Sequence, residues 1–308
     1  MIAHFRLPPR LFPALVLLAL SFPLSSTAAQ DNERLLRFAF QNRIGSVLPI
    51  LAVKKKFFTA QGLAVESQMF SSGPACAEAL TSGAADIATM GDTTALIALA
   101  RQFPLELIAS HAKGEHRHRL MVMDPAIQTV ADLRGRRIGV KKGTSTYGGL
   151  EQLLANSGLT QTDVQLIDLR PATLVEALQA GSIDAFAASE PTPSQAEQYG
   201  AHQLTTLGGL GNNYPILIVG DKRFIAAHPD QLQAFKQALL QALDFLQQQP
   251  QKARQIIAET LNLPLEVTIR AMQRHQYQLV LDDSIRHSLR QTAEFLRQQR
   301  IIEQIPEL

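Results

Sequence analysis

The 308-residue chain carries 29 basic and 27 acidic residues, a single cysteine and no tryptophan. The near-neutral balance gives no basic face for nucleic acid or for an anionic membrane surface. The lone Cys76 excludes an intramolecular disulfide and a cysteine zinc cluster.

Residues 1–29 read as a signal peptide. Arg6 and Arg10 form a basic start, Leu11 to Leu24 an apolar run broken by Pro13 and Pro23, and Ser25-Ser26-Thr27-Ala28-Ala29 a small-residue cleavage region before Gln30. A retained anchor would need roughly 20 unbroken apolar residues. No cysteine follows to carry a lipid, and no later apolar run is long enough to span a bilayer, so a soluble mature chain is expected. Arg6 and Arg10 are the only charged residues removed, which leaves 27 basic against 27 acidic.

Leu35 to Phe40 predicts the first strand, and Gln41 to Ser46 a polar loop. A helix over 47–58 is closed by Gly62. Leu63 to Phe70 is strand two, followed by the turn Ser71-Ser72-Gly73-Pro74 and a helix to Thr81; Pro suits a first helical turn. Cys76 falls among Ala75, Ala79 and Leu80 and reads as a small buried hydrophobe. Asp86 to Met90 is strand three, Gly91-Asp92-Thr93-Thr94 opens the helix to Arg101, and Pro104 to Ser110 is strand four. This alternation predicts a mainly parallel sheet with helices on its faces and right-handed crossovers. Polar residues 111–119 break the pattern before a strand at 120–123.

A second series follows. The strand 138–140 runs into Gly143, Thr144, Ser145 and Thr146, good turn and cap residues ahead of a helix over 145–156. Strands at 164–169 and 183–187 alternate with helices at 173–179 and 193–199. Gly- and Asn-rich residues 207–213 end the series, and Tyr214 to Val219 is a strand returning to the first unit. Everything after Asp221 reads as helical. The expected division is residues 30–118 with 214–308 in lobe I, and 119–213 in lobe II. Two crossings make a hinge suited to ligand-gated closure. The ligand is expected at the carboxyl ends of the strands, where the turns 71–74, 91–94 and 143–146 fall.

Ordered segments carry a family likeness: Phe70-Ser-Ser-Gly-Pro74, Gly83-Ala-Ala-Asp-Ile87, Gly91-Asp-Thr-Thr94, Asp132-Leu-Arg-Gly-Arg136, Ile138-Gly-Val-Lys-Lys-Gly143, Ala177-Leu-Gln-Ala-Gly181, Asp184-Ala185 and Glu190-Pro191. Across the mature chain the sequence resembles periplasmic substrate-binding proteins of the sulfonate, taurine and nitrate class of ABC importers, within the thiamine-pyrimidine synthase-like superfamily. The resemblance implies an α/β, two-lobe type II periplasmic binding fold with a two-crossover hinge and mixed, mainly parallel sheets. It implies a small polar, anionic or zwitterionic solute in the interlobe cleft, a permease partner in the inner membrane, a periplasmic location, a monomer, and neither enzymatic activity nor a cofactor. Carried over by position, the pocket draws on Gln41, Ser71, Ser72, Gly73, Gly91, Asp92, Thr93, Thr144, Ser145, Thr146, Glu190 and Tyr214. Sulfonate and taurine members commonly carry Trp before the acid-Pro pair; Ser189 stands there, so a different apolar wall is expected.

Asp92 reads either as a helix cap or as a partner for a ligand ammonium or ring N–H. Glu190 reads as a cap, a surface acid or a cleft residue, and Tyr214 as a cleft wall or hinge packing. Helix N-termini at these turns would receive an anion. His111, His116 and His118 lack a completing acid or cysteine at metal spacing, so no metal site is expected. Arg117 and Arg119 are expected to pair across the hinge or stay solvated. Serine-triad, nucleophile-elbow and GxGxxG patterns do not occur. The alternatives are an enzyme of the thiamine-pyrimidine synthase type, opposed by the export signal and the single cysteine, and a sensor docking on a receptor.

Overall fold

The computed structural model describes Met1 and residues 35–308, so the expected signal peptide lies outside the described residues. In chain order the elements are β1 (Leu36–Gln41), α1 (Val47–Lys54), α2 (Phe57–Ala60), β2 (Val65–Phe70), α3 (Gly73–Thr81), β3 (Ile87–Gly91), α4 (Asp92–Ala100), β4 (Leu105–Lys113) and β5 (His118–Val122). Then come β6 (Arg137–Val140), α5 (Ser145–Asn156), β7 (Gln165–Asp168), α6 (Leu174–Gln179), β8 (Ala185–Ser189), α7 (Thr192–Ala196) and β9 (His202–Thr206). The chain ends with β10 (Ile216–Asp221), α8 (Lys222–Ala227), α9 (Pro229–Gln248), α10 (Pro250–Leu261), α11 (Leu265–Gln273), β11 (Gln276–Val280) and α12 (Asp283–Gln298).

Two sheets result. One has the order β11-β4-β10-β3-β1-β2, the other β7-β6-β8-β5-β9. The parallel run predicted from the βα alternation covers β2-β1-β3 and β7-β6-β8. The rest is antiparallel, because the returning strand β10 inserts between β3 and β4 and pairs antiparallel with both. Strand β5 likewise meets β8 and β9 antiparallel. Central strands are buried throughout, as strands covered on both faces require, whereas edge strand β2 alternates.

Each sheet is covered on both faces. Phe38, Phe58 and Phe235 pack ring on ring under α1, α2, α9 and α10. The opposite face of the same sheet holds Cys76, Leu80, Leu96, Ile285 and Leu289 from α3, α4 and α12. The five-stranded sheet carries Leu150 and Leu154 of α5 on one face and Leu174 and Leu178 of α6 on the other.

Four departures from the sequence reading have local causes. The helix expected over 47–58 is two helices, because Lys56 takes a left-handed conformation at φ 57°. Strand β4 runs on to Lys113 and β5 starts at His118, so much of the polar run 111–119 is strand. Polar β9 is an edge strand whose sequence, His-Gln-Leu-Thr-Thr, carries little strand signal. Strand β11 lies among helices, where Gln276-Tyr-Gln-Leu-Val280 alternates at another edge.

The chain passes between the sheets twice, after β4 and before β10, and the crossings bond to each other. Gly114 N–H donates to Asn213 O at 2.9 Å, and Arg117 donates from Nη2 to Tyr214 O at 2.9 Å. We propose that the lobes join through residues 114–117, between β4 and β5, and 207–215, between β9 and β10, one residue ahead of the expected 118/119 boundary because His118 already belongs to β5. Behind the crossings sit three buried imidazoles: His111 on β4, His118 on β5 and His275 ahead of β11. Burial, with Arg117 as the second cause, pushes His111 and His275 down to about 3 and His118 well below the usual histidine range.

Two outcomes follow for stability. Phe235→Ala removes a fully buried ring from the aromatic stack and should cost about 3–5 kcal/mol in urea unfolding. The buried imidazoles stay neutral when folded, whereas the unfolded chain protonates its histidines below about pH 6.5. The unfolded state then holds more protons, so stability should fall as pH drops from about 6.5 toward 3, by up to about 1.4 kcal/mol per pH unit for each group. Thermal melts from pH 7 to 4.5 should show this fall, and His111→Phe should make it shallower.

Candidate functional site

The turns after β1, β2, β3 and β6 converge on one cavity between the two sheets. Gln41, Ser72, Gly73 and Gly91 line it from one side, and Thr144, Ser145 and Thr146 from the other. Helices α3, α4 and α5 all begin here, so three positive dipole ends meet at a common space, although at α4 the N–H of Asp92 donates to Pro215 O and that of Thr93 to Asp92 Oδ1. Thr144 caps α5 by accepting from Tyr147 N–H, and its hydroxyl donates to Lys141 O at 2.7 Å.

The two sides are in contact. Thr94 Oγ1 donates to Gly143 O at 2.8 Å, and Arg43 Nη1 donates to Ser189 Oγ at 3.0 Å. Gly91 lacks a Cβ where one would overlap Ser145 Oγ, and a Cβ on Gly148 would stand 2.9 Å from Thr93 Oγ1. The absence of side chains at these glycines lets α4 and α5 approach.

The charge of the cavity is one-sided. Arg43, Arg117 and Lys141 line it, with no carboxylate among the described residues of its wall. Lys141 pairs with Asp168 at 3.0 Å. Arg43 and Arg117 enter no ion pair among the described residues. Burial pushes both guanidinium groups down to about 10, with Asp92 opposing the effect at Arg117. Arg43 Nε is buried without a partner, and so is His118 Nε2. His118 Nδ1 shares a hydrogen bond with Thr146 Oγ1 at 2.7 Å, which fixes the ring with its other nitrogen free for a ligand. Leu174, Ala187, Ala188 and Ile216 give the apolar part of the wall.

Five residues expected at the ligand stand elsewhere. Asp92 turns away from the cavity into a buried network. Its Oδ2 accepts from Asn212 Nδ2 at 2.8 Å and from Thr292 Oγ1 at 3.3 Å, so the first residue of α4 ties the second crossing to α12. The carboxylate thus accepts from protein donors and does not line the cavity. Thr93 packs against Gly148. Glu190 is buried, paired with Arg119 at 3.2 Å and with Arg274 at 3.6 Å. Tyr214 donates its hydroxyl to Leu207 O at 2.5 Å and packs its ring on His118, 4.6 Å between centroids. Ser71 is exposed and lines an adjoining cavity.

Arg43, Thr94, Arg117 and His118 were not expected here. Arg43 follows Gln41 in the same polar loop, and Arg117 and His118 stand where the chain crosses, so their position was the available signal. Arg119 does not stay solvated: it is held by Glu190, Glu197 and Gln203 on its own sheet's side. Of the remaining histidines, His116 bonds Thr206 Oγ1 at the surface and His111 is buried beside Arg117.

Known proteins share this architecture. The alkanesulfonate-binding protein SsuA from Xanthomonas axonopodis pv. citri, bound to MOPS, superposes with a TM-score of 0.80 at 27% identity, over 87% of this chain and 94% of that one. A candidate aliphatic sulfonates-binding protein of Escherichia coli (strain K12) is 29% identical over 264 residues, 80% of this chain and 78% of its own. The taurine-binding periplasmic protein of the same strain is 29% identical over 189 residues, 60% of this chain and 58% of its own. The two-lobed periplasmic binding protein fold is therefore that of this chain. A family profile described as NMT1/THI5 like matches residues 46–253, well over half the sequence, and the chain belongs to that family.

Proposed function

We propose that this protein is the solute-binding component of an ABC importer and that its ligand is a small organic anion, a sulfonate before all others. The observation that carries this reading is the cavity itself: two guanidiniums without a carboxylate, three helix N-termini, hydroxyls and His118, with no acid facing in. An enclosed cation is costly until an anion answers it. A sulfonate offers three acceptor oxygens for the donors, and Leu174, Ala187 and Ile216 suit the carbon adjoining it.

The ligand set we assign is Gln41, Arg43, Ser72, Gly73, Gly91 and Thr94 on one side, with Arg117, His118, Thr144, Ser145 and Thr146 completing it. An anion touching both sides binds the closed arrangement better than the open one, which is what shifts the population toward closure. The closed form is then the form handed to a permease. A periplasmic location accords with the relatives and with the leader read in the sequence. A nucleophilic role for Cys76 finds no support: burial pushes the thiol up to about 12, so it holds its proton.

Arg43→Ala should weaken binding of methanesulfonate or taurine about ten- to a hundredfold in calorimetry, the worth of one or two hydrogen bonds to a charged group. Thr144→Ala combined with Ser145→Ala should weaken it as well, through loss of the α5 cap and of a donor. Wild-type affinity in both variants would place the anion elsewhere.

A further inference from the structure

The cavity just described is small, about 30 Å³. By the same measure one water needs roughly 10–15 Å³, so it holds a compact head group and little more. A second cavity of about 450 Å³ adjoins it, and Arg43 and Pro171 line both. The outer cavity is itself interlobe, with Asn42, Ser71, Leu261 and Leu263 on one side and Arg170, Pro171, Thr192 and Gln195 on the other. Among the described residues its wall, too, holds no carboxylate. Arg170 is exposed and enters no ion pair among the described residues.

We infer that the ligand is an organic anion with an acid group at each end, its sulfonate in the inner cavity and its second acid at Arg170 in the outer one. This rests on the sulfonate reading of the inner cavity. The geometry gives each part a place. A head group has the inner space, a short carbon body would lie along Arg43 and Pro171, which line both cavities, and apolar Leu261 and Leu263 stand beyond. A cationic tail would be repelled by Arg170, and an uncharged one would gain nothing from it. A second anion there completes a pair that spans the mouth of the cleft, so the same charge adds to closure.

The test compares 3-sulfopropanoate with propane-1-sulfonate, equal in length and differing in the second charge, by calorimetry at fixed ionic strength. The wild type should bind the dianion at least about threefold tighter, the range of a partly exposed ion pair. Arg170→Gln should bring the ratio near one, and Arg170→Lys should keep most of it. A ratio near one in the wild type, or a ratio retained in Arg170→Gln, overturns the inference while leaving the sulfonate reading standing. Binding of neither probe at millimolar concentration overturns the sulfonate reading, and this inference with it.

Discussion

A guanidinium taken out of water needs acceptors around it, and among the described residues neither buried Arg117 nor half-buried Arg43 finds an acid in an ion pair. Arg43 and Arg117 share a cavity without a carboxylate, beside three helix starts that also present positive ends. The energetics of the cleft follow from that excess. Three of the groups that face the space are already oriented by the protein: Thr146 holds His118, Ser189 holds Arg43, and Tyr214 O holds Arg117. The cost of fixing the donors is met in folding, so an arriving anion meets them in place.

The acids of the same region are used differently. Asp92 and Glu190, each at the cleft end of its sheet, are both consumed by protein partners, one by Asn212 and Thr292, the other by Arg119 and Arg274. The fold thus separates its charges, with Asp92 and Glu190 stitched into the frame and Arg43 and Arg117 at the cavity wall. The neutral state of the buried imidazoles serves the same end, since a further positive charge beside Arg117 would oppose its burial.

The turns were legible because they obey local rules. A glycine or a small hydroxyl residue at the carboxyl end of a strand, ahead of an apolar period of 3.6, fixes a helix start wherever it occurs, and Ser72, Gly73, Gly91, Thr144, Ser145 and Thr146 met at one cavity as those rules implied. What failed to show was direction. Asp92 and Thr93 stand in the right turn, yet their side chains leave the helix start toward α12 and α5. Arg117 and His118 sit where two strands exchange partners, and only the tertiary crossing decides that one residue meets Tyr214 O and the next the cleft. Edge strands β9 and β11 were hidden for a related reason: a polar strand at the rim owes its existence to a neighbour, not to its own sequence.

The two interlobe crossings do not run independently. Gly114 is bonded to Asn213, and a Cβ at Gly114 would meet Arg274 O, so the first crossing lies directly against the second and against the segment before β11. Coupled in this way, the links act as a single axle. One lobe can rotate on the other, but a sliding displacement would have to shear the bond between the links. The same axle holds the facing helix starts in register, with Thr94 on Gly143 and Arg43 on Ser189.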